Sequence, residues 1–343
     1  MKIKESTMVF VRRFLFMLYY FKESDWKQLR KFLNYASVSS GRSKPFIILD
    51  SMLSVFRYNV SFKDYFCFRF FELSNQERDQ WAGTGHMYEF QLKMNPKKSR
   101  GLLENKSLFI KKFNNLIKRD CYTLDEISSD RLLAEKALRS DSGLLVLKNS
   151  MGQAGAEVRI IKAKEFTYDR LIEYMTSMKL DLVEEYVIQH SSLMELSPSG
   201  LNTVRIITQI SGKKVDFVGA RLRISVNSSV DNMAAGNLAA SINMRTGIVD
   251  GPGVYSDITK KDQTIHPVTG VNITGFAIPH WDAVIEIARE AALMTPENRS
   301  VGWDIAITEN GPELIEGNHN WCKLLWQLPV KRGLKTDLER FQK

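Results

Sequence analysis

The sequence predicts an α+β fold with a mainly helical N-terminal region, and three observations carry that expectation. Helical periodicity dominates the chain up to about Arg100, short β-branched runs separated by turn residues take over from Gly143, and two helical segments interrupt those runs. At 343 residues with 44% hydrophobic content the chain buries a substantial core, and its length favours two or three packed subdomains.

The first expected element covers Val9 to Phe21 (VFVRRFLFMLYYF), an apolar run too short to cross a bilayer and interrupted by Arg12 and Arg13. It reads first as an amphipathic helix packed on the protein and second as a peripheral membrane contact. No small-residue cleavage site follows it, so a secretory signal is not expected. SDWKQLRKFLNYA then opens a helix with Ser24 as its cap, and LSNQERDQW opens another with Ser74 as cap and Glu77 three residues on. The polar MNPKKSR at 94–100, with Pro96, marks a boundary. A basic, partly amphipathic helix is expected between Gly101 and Thr123, through Lys106, Phe109 and Phe113. DEISSDRLLAEKAL is expected to form one more, acidic at its start. The strand candidates are LLVLK, EVRII, DLVEEYVI, NTVRIITQI, VDFVGARLRI, AASINM, and GWDIAIT with PELIEGN, with helices at about Tyr168 to Met178 and Trp281 to Leu293.

Between Met1 and Asp120 there are 23 Lys and Arg against 11 Asp and Glu, a net +12 in a chain whose total is +9, so the remainder carries −3. Scattered surface lysines account for that excess as readily as nucleic acid, anionic lipid or a phosphorylated substrate does. With no RNA-binding motif, zinc finger or basic helical array, nucleic acid is not an expected partner. Cys67, Cys121 and Cys322 are widely spaced without a CxxC, which supports neither a disulfide framework nor a structural zinc site and fits a reducing cytoplasm.

The most informative segment is GWDIAITENGPELIEGN at 302–318, two strands around a turn at Glu309, Asn310 and Gly311. A loop of odd length centred on Asn310 sets Asp304 opposite Glu316, and strand alternation brings Asn318 to the same side. A two-residue Asn310-Gly311 turn instead shifts the register by one and puts the two acids on opposite faces. In the first register two hard anionic ligands and a neutral oxygen, with coordination positions left open, suit Mg²⁺ or Mn²⁺ shared with nucleotide phosphates. The plainer reading is an ordinary hairpin with solvated acids.

Asp304 on one strand and Glu316-x-Asn318 on the next resemble the metal-binding signature of ATP-grasp enzymes. GLNTVRIIT, VDNMAAGN, HPVTG, GFAIPHW and GWDIAIT with LIEGN resemble the sugar-transfer-associated ATP-grasp family, found among surface-polysaccharide genes. The resemblance covers about Lys106 to Asn318 and extends more weakly to NVSFKDYFCFRFFELSNQER upstream. It implies an ATP-grasp fold, two α+β subdomains gripping ATP, and divides the chain into a helical region at 1–100, a first subdomain at 101–185 and a second, carrying the metal site, at 186–343.

The resemblance also implies roles. Lys148 ends LLVLK just before NSMGQAGAE, where Gly152 and Gly155 let backbone N–H groups approach phosphate, although a hairpin turn explains the glycines equally well. Lys148 then neutralises an α- or β-phosphate, and Lys106, in ENKSLF, supplies the second lysine. DLVEEYVIQH is similar to the adenine-binding connection, with adenine on the Glu185 and Val187 main chain and the Glu184 carboxylate near the adenine amino group or ribose. A strand with paired surface acids is the alternative. Arg205 and Arg223 are expected to reach the γ-phosphate, where a planar fork clamps phosphate or carboxylate oxygens, or else to form strand-face ion pairs. Asn232 and Gly236 resemble a loop closing over the reacting centre, and His266 reads as a turn stabiliser.

Two departures from the family pattern stand out. Glu316 is followed by Gly-Asn-His-Asn-Trp without the usual Pro-Gly, and Gly302 stands where some relatives carry an arginine, leaving Arg299, Arg205 or Arg223 to stabilise an acyl-phosphate. The implied activity is ADP-forming ligation of a carboxylate to an amine with ATP and Mg²⁺ or Mn²⁺. The implied substrates are a sugar-acid glycan precursor and an amino acid or amine, in capsule or O-antigen synthesis. A nucleotide-binding scaffold without turnover, or phosphotransfer to a hydroxyl, would use the same grip on ATP.

Overall fold

The N-terminal helices form because their apolar positions recur at helical spacing around one aromatic core. The computed structural model describes residues 2–152 and 158–342, with side chains from residue 9 onward. The first helices are α1 (Lys2–Glu23), α2 (Trp26–Ser40), α3 (Lys44–Tyr58), α4 (Phe62–Cys67), α5 (Asn75–Asp79), α6 (Thr84–Met94) and α7 (Lys97–Glu104). Phe32, Tyr65, Phe66, Phe70 and Phe71 fill the core shared by α1 to α4, whereas α6 packs Met87 and Phe90 in the cluster of Trp321 and Trp326. Ser74 and Glu77 form a reciprocal capping box on α5, as their spacing predicts. The cap of α2 is Asp25, not Ser24: the Asp25 carboxylate accepts from the Gln28 N–H at 3.0 Å. Ser24 belongs to the end of α1, donating its hydroxyl to the Tyr20 carbonyl at 2.5 Å. Among the described side chains of α1 only the Arg13, Phe16, Met17 and Tyr20 edge is turned inward, and most of the other apolar ones are exposed. Among the described residues no helix is long and apolar enough to cross a membrane.

Short polar residues break two helices that the sequence reads as continuous. Asn105 ends α7 and caps α8 (Lys106–Lys112), its side chain accepting from the Leu108 N–H at 3.0 Å. DEISSDRLLAEKAL likewise splits into α9 (Leu124–Ser129) and α10 (Arg131–Leu138), because Asp130 accepts from the Leu132 N–H at 2.9 Å. Asn and Asp side chains compete with the backbone in this way wherever a helix leaves them within reach.

Two antiparallel sheets follow. The smaller contains β1 (Cys121–Thr123), β2 (Leu144–Lys148), β3 (Arg159–Lys162) and β4 (Leu182–Glu185), in the order β1-β4-β2-β3. Helices α9, α10 and α11 (Tyr168–Ser177) cover one face of it through Leu145, Leu147, Val183 and Leu171. β1, at three residues, is too short for a periodic signal. After α12 (Ser191–Leu196) comes the larger sheet, β5 (Val204–Ser211), β6 (Lys214–Ile224), β7 (Leu238–Ile242), β8 (Ser300–Thr308) and β9 (Gly311–Asn318), in the order β7-β6-β5-β8-β9. Helix α13 (Trp281–Met294) buries Val284, Ala288 and Ala291 against it. Leu103, Phe109 and Phe113, from the stretch that the resemblance groups with a first subdomain at 101–185, join this same core. Trp303 sits at its centre, its indole N–H donating to the Thr208 hydroxyl at 2.8 Å and its ring meeting Phe113 edge-on at 5.6 Å. Two short helices, α14 (Lys323–Gln327) and α15 (Lys335–Glu339), close the chain.

Candidate active site

The β8–β9 hairpin turns at Glu309 and Asn310, with Thr308 facing Gly311, whose φ of 102° only glycine adopts freely. Carried to the end of the hairpin, that even register would send Asp304 and Glu316 to opposite faces. The ladder slips by one residue between Asp304 and Ile305, with Ile315 as the extra residue on β9, and Asp304 comes to lie opposite Glu316. The odd-length turn is thus corrected: a two-residue turn and a β-bulge together give the pairing that an odd loop would have given.

On its other side β8 pairs with β5, which sets Arg205 opposite Asp304, so Arg205, Asp304 and Glu316 form a row across three strands. Asp304 is 2% exposed. Arg205 grips it with both fork nitrogens, Nε on Oδ1 and Nη2 on Oδ2, the latter at 2.6 Å. Arg223 on β6 donates Nη1 to the same Oδ2 at 2.5 Å and turns Nη2 to Asp231 at 2.7 Å. Asp231 in turn accepts from the Thr203 N–H at 2.9 Å and hydroxyl at 2.6 Å. Burial would raise the Asp304 pKa, but the two guanidinium groups outweigh it and hold the carboxyl far below its usual range. Glu316 behaves oppositely. Its side chain is 45% exposed, yet desolvation against the surrounding protein, and then the Asp304 charge, push its pKa up. Arg205 Nη2 is 4.0 Å from Glu316 Oε1, and the Asn318 amide donates to that oxygen at 3.1 Å.

Gly302 explains how Arg205 reaches this position. A β-carbon at Gly302 would lie 2.8 Å from Trp321 Cβ and 2.9 Å from Arg205 Cδ, so the space is filled from the neighbouring strand. Arg299 lies at the far end of β8 and donates to the Ile210 carbonyl at 3.3 Å, away from the acidic row.

Lys148 and Glu184 share the face of the smaller sheet that its helices leave open, since Val146 pairs with Glu184 while Leu145, Leu147 and Val183 point to the helices. Lys148 Nζ donates to Glu184 Oε2 at 2.8 Å, and Arg119 Nε donates to the same oxygen at 2.9 Å. Arg119 Nη1 then reaches Glu313 Oε2 and the Leu314 carbonyl on β9, both at 3.0 Å, so one buried guanidinium ties the two sheets together. Desolvation opposes ionisation of Glu184, but Lys148 and Arg119 pull its pKa down to about 2. The carboxylate expected near adenine or ribose is therefore turned to two cations through Oε2. The Glu185 N–H donates to the Asp120 carbonyl at 2.8 Å. Among the described residues, neither the N–H nor the carbonyl of buried Val187 finds a partner.

Lys106 opens α8 and points its ammonium at the carbonyls of Asn149, at 3.2 Å, and Gly152. Burial lowers its pKa; Glu316 works against that and Lys148 with it, so Lys106 feels both the acidic row and the other lysine. Ser150 donates its N–H and its hydroxyl to Asp181, each at 2.6 Å, which fixes the start of the loop after β2. Gly155 lies outside the described residues. In the 226–237 loop Asn232 caps the Ala234 N–H at 3.0 Å, and Gly236 takes a φ of 90°. His266 accepts from the Thr269 N–H at 3.2 Å and donates to the Ser225 carbonyl at 3.0 Å, stabilising a turn as expected.

Sequence reasoning missed Arg119, Glu313 and Asp231. Asp231 lies in VDNMAAGN next to Asn232, which carries the loop resemblance; Arg119 and Glu313 carry no local signal. Among the described residues no group of three or more His, Cys, Asp or Glu assembles. The donor set is instead two facing carboxylates and one amide, all hard oxygen ligands, which fits a divalent cation such as Mg²⁺. A cavity of about 400 Å³ opens beside the site, between α10 and the small sheet, lined by Tyr122, Leu132, Arg139, Glu184 and Glu185. It contains neither Lys148 nor Asp304, so hollow volume alone does not locate this chemistry.

A family model described as sugar-transfer associated ATP-grasp matches residues 86–343. Among solved structures, the ATP-grasp ligase PsnB in complex with precursor peptide PsnA2 and AMPPNP is similar at 15% identity and a TM-score of 0.39, over 67% of this chain and 54% of that one. D-alanyl-alanine synthetase A from Vibrio cholerae O1 biovar eltor is similar at 12% identity and a TM-score of 0.40, over 72% and 62%. An L-amino acid ligase from Bacillus licheniformis is similar at 12% identity and a TM-score of 0.38, over 64% and 41%. The chain therefore spans roughly two to three fifths of the length of these structures. No curated protein matches it in sequence.

Proposed function

The chain belongs to the sugar-transfer-associated ATP-grasp family, and from that premise we propose that it is an ATP-dependent ligase joining a carboxylate to an amine through an acyl-phosphate. The observation that carries this reading is the row of Arg205, Asp304 and Glu316 across three strands, with Asn318 beside it and Lys106 within electrostatic reach. Asp304, Glu316 and Asn318 would hold Mg²⁺ or Mn²⁺, which when bound supplies positive charge against the phosphate oxygens. Lys148 and Lys106 neutralise the phosphates, and the backbone around Gly152 and Gly155 lines them. The unmatched main chain at Val187, with Glu185 beside it, supports an adenine contact there.

A substrate carboxylate oxygen attacks the γ-phosphorus, and the bond to the bridging oxygen breaks to release ADP. The amine nitrogen then attacks the acyl carbon, phosphate leaves, and the nitrogen gives up a proton to form the amide. Arg205 and Arg223 stabilise charge on the transferred phosphoryl group and on the tetrahedral adduct. Both now spend donors on Asp304, so a cation that draws off the Asp304 charge would free those donors for substrate. We assign the carboxylate to a sugar-acid glycan precursor and the nitrogen to an amino acid or simple amine, in surface-polysaccharide synthesis, from the family alone.

Incubation with ATP, Mg²⁺, uronic-acid sugar nucleotides and an amino-acid pool should give a condensation product and ADP by mass spectrometry. AMP with pyrophosphate contradicts the acyl-phosphate route. A phosphorylated hydroxyl identifies a kinase, and nucleotide binding without turnover identifies a scaffold.

A further inference from the structure

We propose that the outer face of α1 and α3 seats this protein on an anionic lipid bilayer, with α1 lying in the plane of the headgroups. The inference is independent of the ligase reading. On α1 the residues turned away from the protein are largely apolar: Phe10 is 61% exposed, Leu15 57% and Leu18 50%. α3 continues the surface with Leu49 at 57% and Leu53 at 58%. The two helices present one face because Phe10 stacks on Phe56 with ring centroids 5.6 Å apart, and Arg13 donates to the Phe56 and Arg57 carbonyls. A contiguous apolar patch of this kind marks a binding surface rather than ordinary scatter.

Charge selects the occupant. Residues 1–60 carry 11 Lys and Arg against 4 Asp and Glu. Lys22 on α1, Lys44 and Arg57 on α3, and Lys27 in the first turn of α2 are all solvent-exposed. Two copies of this face would bring like charge against like charge, whereas an anionic headgroup layer neutralises the cations while its acyl boundary takes the aromatic and leucine side chains. α1 is 22 residues long, yet it falls short of a membrane span, so it lies along the surface rather than through it.

The test is flotation of the full chain with vesicles of phosphatidylcholine alone or phosphatidylcholine mixed with phosphatidylglycerol. Two variants probe the apolar face, Leu15→Glu with Leu18→Glu on α1 and Leu49→Glu with Leu53→Glu on α3; Lys22→Glu with Lys27→Glu probes the charge. All six positions are exposed, and unchanged melting temperatures check that the fold is kept. The expected result is flotation with anionic vesicles, weaker by at least about tenfold with neutral ones or for each variant. Absence of binding to anionic vesicles, or binding undiminished in the leucine variants, overturns the proposal. So does a dimer in solution that the leucine variants dissolve, which would assign the face to a second copy.

Discussion

Replacing Asp304 by Asn tests the arginine cage directly. Asp304 accepts three charge-assisted hydrogen bonds, two from Arg205 and one from Arg223. Asn keeps one acceptor oxygen; set at the Oδ2 position it retains two of the three bonds, loses the one from Arg205 Nε and points an NH₂ group at that guanidinium. The lost bond costs roughly 1.5–3 kcal/mol and the two that remain weaken once their acceptor is neutral, so the loss is about 3–4 kcal/mol. That agrees with ~3–5 kcal/mol for breaking a buried pair from one side. Arg223 keeps the Asp231 anion at 2.7 Å, whereas among the described residues the nearest anion left to Arg205 is Glu316 at 4.0 Å, so Arg205 bears most of the change. Urea unfolding followed by the fluorescence of buried Trp303, Trp321 and Trp326 measures it. The melting temperature should fall by about 6–8 °C, at roughly 2 °C per kcal/mol for a chain of this size. Converting both partners to apolar residues, Asp304→Leu with Arg205→Met, should recover much of the loss because no unpaired charge remains between them. An Asn variant within about 1 kcal/mol of the parent, or a double variant no more stable than the single, would refute the coupling.

Glu316→Gln should abolish turnover, and undiminished ATP consumption would remove Glu316 from the metal set. Since the native environment raises the Glu316 pKa, its charge is a cost to the folded state at neutral pH, and the Gln variant should melt no lower than the parent by scanning fluorimetry. Glu184 has its pKa lowered from 4.5 to about 2, so its contribution is full above pH 4.5 and is lost as pH falls towards 2. Glu184→Gln should flatten the stability curve in that window; an unchanged slope removes Lys148 and Arg119 as its cause. Gly302→Ala should cost about 1–3 kcal/mol through its contacts with Trp321 and Arg205 and lower kcat as the guanidinium shifts. Equal stability and activity would show that the strands have room to spare.

The strands were legible because β-branched runs end in clear turn residues, and among the described residues eight of nine strands fall on the expected segments. Helix limits were less so. Ser24 and Asp25 are neighbours of equal capping ability, and only the length of α1 decides between them. Asn105 and Asp130 read as polar positions on a helix's solvent face, a pattern indistinguishable from a cap until the backbone turns there. The carboxylate pairing needed a bulge at Ile315, which breaks the alternation so that Leu314 and Glu316 face opposite sides, and the adjacent apolar pair Leu314-Ile315 is too faint a mark of it in sequence. Lys148 and the Asp304 row could be singled out because they sit in short recognisable words. Arg119 and Glu313 could not, being 194 residues apart in sequence and joined only by folding.

That joint has a thermodynamic consequence. With Glu184 on one side and Glu313 on the other, Arg119 makes each sheet a condition for the solvation balance of its neighbour. Were the smaller sheet to melt alone, a buried cation would lose one of its anions, a penalty of several kcal/mol levied on the half still folded. The two halves are thereby wedded in a single cooperative transition. A lesion in a helix that touches no ligand can then be felt as looseness among the phosphates.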